Sequence, residues 1–218
     1  MPCVQLQIWR VPGHAVVASV ATTRAQVRRL RRREAVTFAK LLGTASAQFV
    51  PWAATPTRWA LLSCWPERPA TVALRHATET MTLSLLPLRS RGRWDGVAPF
   101  TPAGDASGWD GPLVVLTRST LRLRKAHRFY AAVPPVAAEL AAADGCRLAI
   151  GIGETPLLRQ GTVSVWDNVD AMTAFAQRAA AHVRAITATP VQRWYAEELF
   201  TRFGLLEATG SVDGRAIA

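Results

Sequence analysis

The spacing of hydrophobic and polar side chains predicts alternating strands and helices along the chain. "VQLQIWRV" at 4–11 alternates polar and apolar positions, as a half-buried strand does. "RWALLSCW" is an apolar run closed by Pro66, and "TMTLSLLPLRS" alternates again, so each predicts a further strand. The arginine run up to "EAVTFAKLL" predicts a helix that ends near Gly43, and "PATVALRHATE" predicts a short helix.

The second half of the chain repeats this order. "PLVVLTRSTLRL", "RLAIGIGE" and "GTVSVWD" predict strands, and "KAHRFYAAVPPVAAELAAAD" predicts a helix broken at its Pro-Pro pair. "NVDAMTAFAQRAAAHVRAI" predicts one long helix. "LLSCWPERPATVAL" aligns with "TVSVWDNVDAMTAF", which matches Trp65 to Trp166 and indicates an internal duplication.

We therefore predict an α+β fold made of two ferredoxin-like βαββαβ units. The first unit spans 1–95, a loop rich in Gly, Pro and Asp connects it over 96–111, and the second unit spans 112–218. Two such units can join their sheets into one barrel-like body, with the helices outside and a cleft between sheet and helix.

Charge adds one feature to this picture, a basic helix in the first unit. The 26 Lys and Arg residues outnumber the 15 Asp and Glu residues and give a net charge of +11. Six arginines fall in one run: Arg24, Arg28, Arg29, Arg31, Arg32 and Arg33. Such a run suits nucleic acid or an anionic membrane surface, but it lacks the interleaved aromatics of a single-strand binder. We predict a solvated helix face and no nucleic-acid partner.

The cysteine count and the absence of targeting patterns favour the cytoplasm. Cys3, Cys64 and Cys146 are an odd number without paired spacing, which argues against a disulfide framework and a Cys-based zinc site. The N-terminal stretch lacks the order of a signal peptide, and no apolar run is long enough to span a bilayer. We expect a cytoplasmic protein that is at most peripheral to a membrane.

The last predicted helix carries a candidate ligand to a metal or cofactor. One face contains Met172, Phe175, Ala179, His182 and Ile186 at steps of three and four residues. His182 then points inward beside small alanines, and a neutral imidazole in a roomy apolar pocket suits haem iron. The alternative is a core histidine bonded to a backbone carbonyl, and periodicity does not decide between the two. His127, near a helix start, is predicted to be solvated or capping.

Other motifs predict less. Gly151 and Gly153 follow a strand without the third glycine of a dinucleotide site, so they indicate close approach of another backbone or a flat ligand. No zinc-binding or covalent-haem motif is present. "WYAEELFTRF" is interpreted as a helix on which Glu197 and Glu198 diverge and cannot share one site. Its apolar positions predict a core-facing seam: Trp194, Leu199 and Phe203.

Seven blocks of sequence resemble the spheroidene monooxygenase family of carotenoid biosynthesis. They run in the same order from about Phe38 to Arg215: "FAKLLGTASAQFVP", "RWALLSCW", "GRWDGVAPF", "LVVLTRSTLRLRKAHRFYAAVP", "IGIGETPLLRQGTVSVWD", "FAQRAAAHVRAI" and "WYAEELFTRFGLLEATGSVDGR". The resemblance implies an oxygenase whose two ferredoxin-like units form a body of the dimeric α/β-barrel type, and which uses b-type haem and molecular oxygen to introduce a keto group into an acyclic carotenoid. It further implies a reductant such as ferredoxin and places His182 where the family block carries the haem ligand.

We predict further site residues around that haem. Arg118 in "LTRST" pairs with a haem propionate or bonds an iron-bound oxygen, or else is a solvated strand residue. Phe129, Trp166 and Phe175 are candidate pocket walls, with core packing favoured for Trp166, and Ala179 leaves space beside His182. Arg31 to Arg33 are the candidate docking face for an acidic ferredoxin.

Three functions stay open at this point. They are a haem monooxygenase acting on a carotenoid or similar hydrophobic metabolite, a haem enzyme of other chemistry such as a dehydratase or peroxidase, and a non-catalytic protein that binds haem or an apolar ligand. A doubled chain closes its barrel alone, so a homodimer is allowed but not required.

Overall fold

The described part of the chain contains nine strands and four α-helices. The computed structural model describes residues 3–33, 35–46, 50–67, 69, 72–103, 108–155 and 158–217. The strands are β1 Cys3–Arg10, β2 Phe38–Ala45, β3 Ala54–Trp65, β4 Glu79–Gly92, β5 Leu113–Leu121, β6 Cys146–Thr155, β7 Arg159–Trp166, β8 Tyr195–Val212 and β9 Arg215–Ala216. The helices are α1 Val16–Arg32, α2 Ala126–Ala141, α3 Val169–Arg178 and α4 Ala180–Gln192.

Eight antiparallel strands close into a barrel. The strand order is β4-β1-β3-β2-β6-β7-β5-β8, and β4 also pairs with β8, which closes the ring. Each half has the 4-1-3-2 order of a ferredoxin-like sheet, and β2 and β6 join the halves near Gly43 and Gly153. The predicted fold class is confirmed. The boundaries at 95 and 112 stay a prediction, and residues 104–107 of the connecting loop lie outside the described residues.

The barrel interior is filled by side chains. Alternate residues of every strand point inward and form one apolar core that includes Leu6, Leu42, Leu116, Ile152 and Phe203. The cavity among them has a volume of about 10 Å³, room for about one water molecule. A ligand larger than water therefore has no place at the barrel centre.

The structure corrects two predictions in the first half. The arginine run belongs to α1, but the helix ends at Arg32, and "FAKLL" forms β2 because Phe38 and Leu42 alternate into the barrel core. "PATVALRHATE" is not a helix over the described residues 72–78. The side-chain amide of Gln26 in α1 holds this segment, because its Nε2 donates to the carbonyl of Ala73 at 2.7 Å and its Oε1 accepts from the N–H of Ala73 at 3.0 Å.

Two predictions about helices of the second half are also wrong in detail. α2 continues through Pro134 and Pro135, since both lie on its exposed side and its buried stripe continues past them. The predicted long helix is two helices, broken at Ala179, whose ψ of 103° is extended.

"WYAEELFTRF" belongs to strand β8 and not to a helix. Leu199 and Phe203 point into the barrel core, while Trp194 precedes the strand and packs on Phe129. Glu197 and Glu198 lie on opposite faces because neighbouring side chains of a strand alternate. As predicted, Glu197 and Glu198 do not share one site, but the reason is alternation along a strand and not divergence around a helix.

Candidate functional site

His182 lies in the first turn of α4, on the outer side of the barrel. Its ring packs on Phe175 of α3 with ring centroids 4.8 Å apart, and Phe175 packs on Trp166 of β7 at 5.3 Å. Of the four histidines, His14, His76 and His127 are exposed and His182 is half-buried. Ala179 is half-buried at the start of the same helix. The structure thus brings together four of the predicted site residues.

The imidazole of His182 carries an unused buried nitrogen. Nδ1 is buried and has no hydrogen-bond partner in the described part of the chain. Burial lowers the pKa of His182. A hydrogen bond from the ring to the carbonyl of Ala176 and the negative charge of Glu139 raise this pKa, but they offset the effect of burial only in part. A neutral imidazole with an unpaired nitrogen has the chemistry of a ligand to iron.

Glu139 of α2 fixes the start of α4. Its carboxylate accepts hydrogen bonds from the backbone N–H of Ala181 at 2.8 and 2.9 Å and from that of His182 at 3.1 Å. These bonds satisfy amides that have no partner inside the helix and place a negative charge at the positive end of its dipole. The same N–H groups lower the pKa of Glu139. No local sequence pattern indicates this residue, because the contact joins two residues 43 positions apart in the chain.

An apolar layer, called the outer layer here, separates the sheet of the second half from its helices. Its buried members include Leu113, Val115, Tyr130, Val133, Leu140 and Met172 together with Trp166. Partly exposed aromatic residues border it: Trp109, Phe129, Phe175, Tyr195 and Phe200. The predicted walls Phe129, Trp166 and Phe175 all belong to this layer. The bordering aromatic side chains are partly exposed, so a flat or elongated apolar ligand would contact the layer along this border.

Arg118 lies on the other face of the sheet from His182. It is 3% exposed and points into one end of the barrel, on the same side as Leu116 of the core. One ligand held by His182 in the outer layer therefore does not reach Arg118. The structure does not bring these two predicted residues together.

Arg118 belongs to a group of charged side chains, the barrel-end network. Its members are Lys40, Arg118 and Arg159 with Asp95, Glu154 and Glu197. The Arg118 guanidinium bonds the Glu197 carboxylate and lies 3.2 Å from Glu154 and 3.4 Å from Asp95. It also stacks over the ring of Trp94, 5.3 Å from the centroid, and Trp94 Nε1 donates to Glu154 at 2.7 Å.

Two carboxylates of this network have lowered pKa values. For Glu197, burial raises the pKa, but the N–H groups of Gly96 and Asp95 and the charge of Arg118 outweigh it. For Asp95, burial is outweighed by Lys40 and by the two arginines of the network. The network ties β2 of the first half to β5, β6 and β8 of the second and closes this end of the barrel. Sequence alone gave no sign of it, because its members are up to 157 positions apart, from Lys40 to Glu197.

Among the described residues, no group of three or more His, Cys, Asp or Glu side chains could hold a metal ion. In the same part of the chain, no helix is long and apolar enough to cross a membrane.

These features define a class: a ferredoxin-like pair closed into one barrel, with a half-buried histidine above an apolar layer on its outside. In fold, the chain is similar to two solved structures of aldoxime dehydratase, one of them in complex with butyraldoxime. The TM-scores are 0.61 and 0.59 at 10% identity, over 94% of this chain and 79% and 81% of those chains. No protein-family model matches the chain.

Curated relatives make the assignment more specific. The chain is 34% identical over 232 residues to spheroidene monooxygenase of Rhodobacter capsulatus. This match covers 99% of this chain and 95% of that protein. It is 43% identical over 141 residues to the enzyme of the same name from Rubrivivax gelatinosus, covering 65% of this chain and 53% of that protein. The chain belongs to the spheroidene monooxygenase family, which confirms the resemblance found in the sequence.

Proposed function

We propose that this protein is a haem-dependent monooxygenase that introduces a hydroxyl or keto group into an acyclic carotenoid such as spheroidene. The observation that carries the proposal is His182, a half-buried histidine with an unpaired Nδ1 beside an apolar layer, in a member of the spheroidene monooxygenase family. The family accounts for the substrate class and the reaction, and the histidine accounts for the cofactor.

The residues around His182 fit a b-type haem. His182 would supply a nitrogen ligand to the iron, because burial lowers its pKa and favours the neutral imidazole, and Glu139 holds the backbone that carries it. Phe175 offers an apolar ring beside the imidazole, and the buried Trp166 packs behind Phe175. When bound, haem iron supplies the binding and activation of molecular oxygen. The protein's own part is to hold the macrocycle, exclude water and present the substrate.

The outer layer is the place for the carotenoid. The barrel core has no room for a long polyene, whereas the outer layer combines buried aliphatic side chains with accessible aromatic edges. Phe129 and Tyr195 pack edge to face at 5.9 Å near one end of the layer, beside Trp194. Burial of a polyene there is favoured by the hydrophobic effect and keeps water from the reacting carbon.

We assign Arg118 a structural role in place of a contact with haem. Its guanidinium is already paired with Glu154 and Glu197 inside the barrel. The charge it neutralises is therefore that of the protein's own carboxylates.

The exposed arginines of α1 are a docking face for an acidic electron donor such as ferredoxin. Arg28, Arg29 and Arg32 project from the helix as exposed side chains, and Arg31 also donates to the carbonyl of Ala39. Opposite charges steer association and raise its rate. Charge reversal at Arg28 and Arg32 should slow turnover with ferredoxin and leave turnover with a small chemical reductant unchanged. An unchanged rate with ferredoxin would contradict this docking face.

The function is tested by turnover with isotopic oxygen. The haem-loaded protein is incubated with spheroidene, reduced ferredoxin and ¹⁸O₂, and the product is analysed by mass spectrometry. The proposal predicts a hydroxylated or ketonic carotenoid that carries the label, and none without reductant or without oxygen. Conversion without oxygen would indicate other haem chemistry, and haem binding without any conversion would indicate a binding protein.

A further inference from the structure

Three arginines lie together on the outer face of the sheet, at the junction of β4 and β8. Arg89 of β4 is the cross-strand partner of Arg202 of β8, and Arg91 is the partner of Phe200. Both Arg91 and Arg202 lie over the Phe200 ring, at 5.4 and 5.7 Å from its centroid. We call these three the arginine triad. Like charges directly opposite each other in a sheet repel, so the arrangement has a cost to the free protein.

The positive charge of the triad is not balanced by the protein. Within the described part of the chain, no carboxylate forms an ion pair with any of its three members. Nε of Arg202 is buried and has no hydrogen-bond partner there. Burial, together with the charges of Arg89 and Arg91, lowers the pKa of Arg202. A partly buried, unpaired guanidinium next to two others is the usual environment of an anion-binding site.

The triad borders the same outer layer that His182 borders. Phe200 packs against this layer. Gly204 lies two residues beyond Arg202, and the ring of Trp109 covers it so closely that an added Cβ at Gly204 would lie 2.6 Å from that ring. Arg202 and Ser164 both pair with Val115 of β5, from opposite sides. Two strand spacings, roughly 10 Å, therefore separate Arg202 from strand β7, which carries Trp166, and this spacing is comparable with the width of a porphyrin.

An amphiphilic ligand fits these observations together. Its flat apolar part would lie on the outer layer near His182 and Phe175, and its acidic groups would extend to the edge of that layer at β4 and β8. Arg89 and Arg91 are exposed, so the acidic groups keep partial access to water. Planar guanidinium groups match carboxylates in two-bond geometry.

We propose that Arg202, with Arg89 and Arg91, binds the propionate carboxylates of the haem. This inference rests on the proposed function, because it assumes that haem occupies the outer layer. It replaces Arg118, which lies inside the barrel, as the partner of the propionates. The triad would then orient the bound haem, and the haem carboxylates would offset the repulsion among the arginines.

The test compares haem with haem dimethyl ester, whose carboxylates are blocked, by titration of the apoprotein followed in the Soret region. Arg202→Gln should weaken haem binding roughly tenfold or more, since charge-assisted hydrogen bonds are lost, and should leave binding of the ester unchanged. Arg202→Lys should fall between the two because it keeps the charge but loses the planar fork. Arg75→Gln, an exposed arginine in the loop before β4, is the matched control and should bind both forms as the wild type does.

Each result separates the inference from the proposed function. If Arg202→Gln binds haem as tightly as the wild type while His182→Ala does not, the triad assignment is wrong and the haem enzyme stands. If the wild type binds neither form of haem, both fail. Arg91→Gln is the second variant, since its side chain is exposed and its loss does not endanger folding; equal weakening of haem and ester by this variant would also overturn the inference.

Discussion

The side-chain carboxylate of Glu139 in α2 accepts a hydrogen bond from the backbone N–H of His182 in α4, the residue that we propose as the ligand to iron. The Glu139 carboxylate accepts the His182 N–H at 3.1 Å and the neighbouring Ala181 N–H at 2.8 Å. The break at Ala179 exposes these amides, and without a carboxylate they would have no partner in the helix. Glu139 is therefore a positioning residue for His182.

Replacing Glu139 should loosen the start of α4. Glu139→Gln keeps the size of the side chain and an acceptor oxygen but loses the charge, so both amide hydrogen bonds weaken. We expect a lower melting temperature, faster hydrogen exchange of the Ala181 and His182 amides, and weaker haem binding. Glu67→Gln, at an exposed position, should change none of these. Unaltered exchange at both amides would show that Glu139 does not hold the helix.

The barrel-end network should make a large contribution to stability through Arg118. Arg118→Leu leaves the Glu197 carboxylate inside the barrel end without its closest cation, and loss of one partner of a buried pair costs about 3 kcal/mol. Urea unfolding of the variant measures this loss. Arg159→Gln removes a guanidinium from the same network, but this side chain is 44% exposed, so the loss should stay below about 1 kcal/mol. Equal losses for the two variants would contradict the role given to Arg118.

The same network predicts the direction of the pH dependence. The folded-state pKa values of Asp95 and Glu197 lie below those of the unfolded chain. Their contribution is complete above the unfolded values, near pH 4, and is lost as the pH falls through the lower folded values. Glu197→Gln should therefore flatten the fall in unfolding free energy between about pH 5 and about pH 2. A curve as steep as that of the wild type would exclude Glu197 as a source of this dependence.

His182 adds a pH effect of the same sign at higher pH. Burial lowers its folded pKa, so the unfolded chain takes up a proton first as the pH falls below about 6.5. Stability is thus lost between that value and the lower folded pKa. His182→Ala in the apoprotein should remove this part of the curve and leave the acid part unchanged. Persistence of the loss near neutral pH in this variant would assign it to another group.

Much of the fold could be predicted from the sequence because the duplication preserves local patterns. Trp65 and Trp166 each end the third strand of their half, and each donates from Nε1 to a serine two residues earlier, Ser63 and Ser164, at 2.9 Å. The alignment of these two short stretches therefore matched equivalent positions. Strands β1 and β4 were predicted correctly from alternating polar and apolar positions, and β3, β5, β6 and β7 from short apolar runs.

The errors fell where tertiary contacts override local preference. β2 and β8 contain helix-forming residues, such as those of "FAKLL" and "YAEEL", but barrel pairing on both sides makes them strands. In the site, periodicity placed His182 beside Phe175 correctly. The sequence does not show which face of strand β5 points into the barrel, so the prediction placed Arg118 at the haem although it lies in the barrel interior. Glu139 and Arg202 have partners far away in the sequence, which no local pattern reveals.

The central claim is that His182 binds haem iron, and one absorption spectrum tests it. Apoprotein is titrated with haem for the wild type, His182→Ala and His127→Ala, the last being the exposed histidine of α2. The account predicts the same Soret band for the wild type and His127→Ala, and its loss or shift only for His182→Ala. A wild-type spectrum that His182→Ala reproduces unchanged, or no Soret band in the wild type at all, would contradict it.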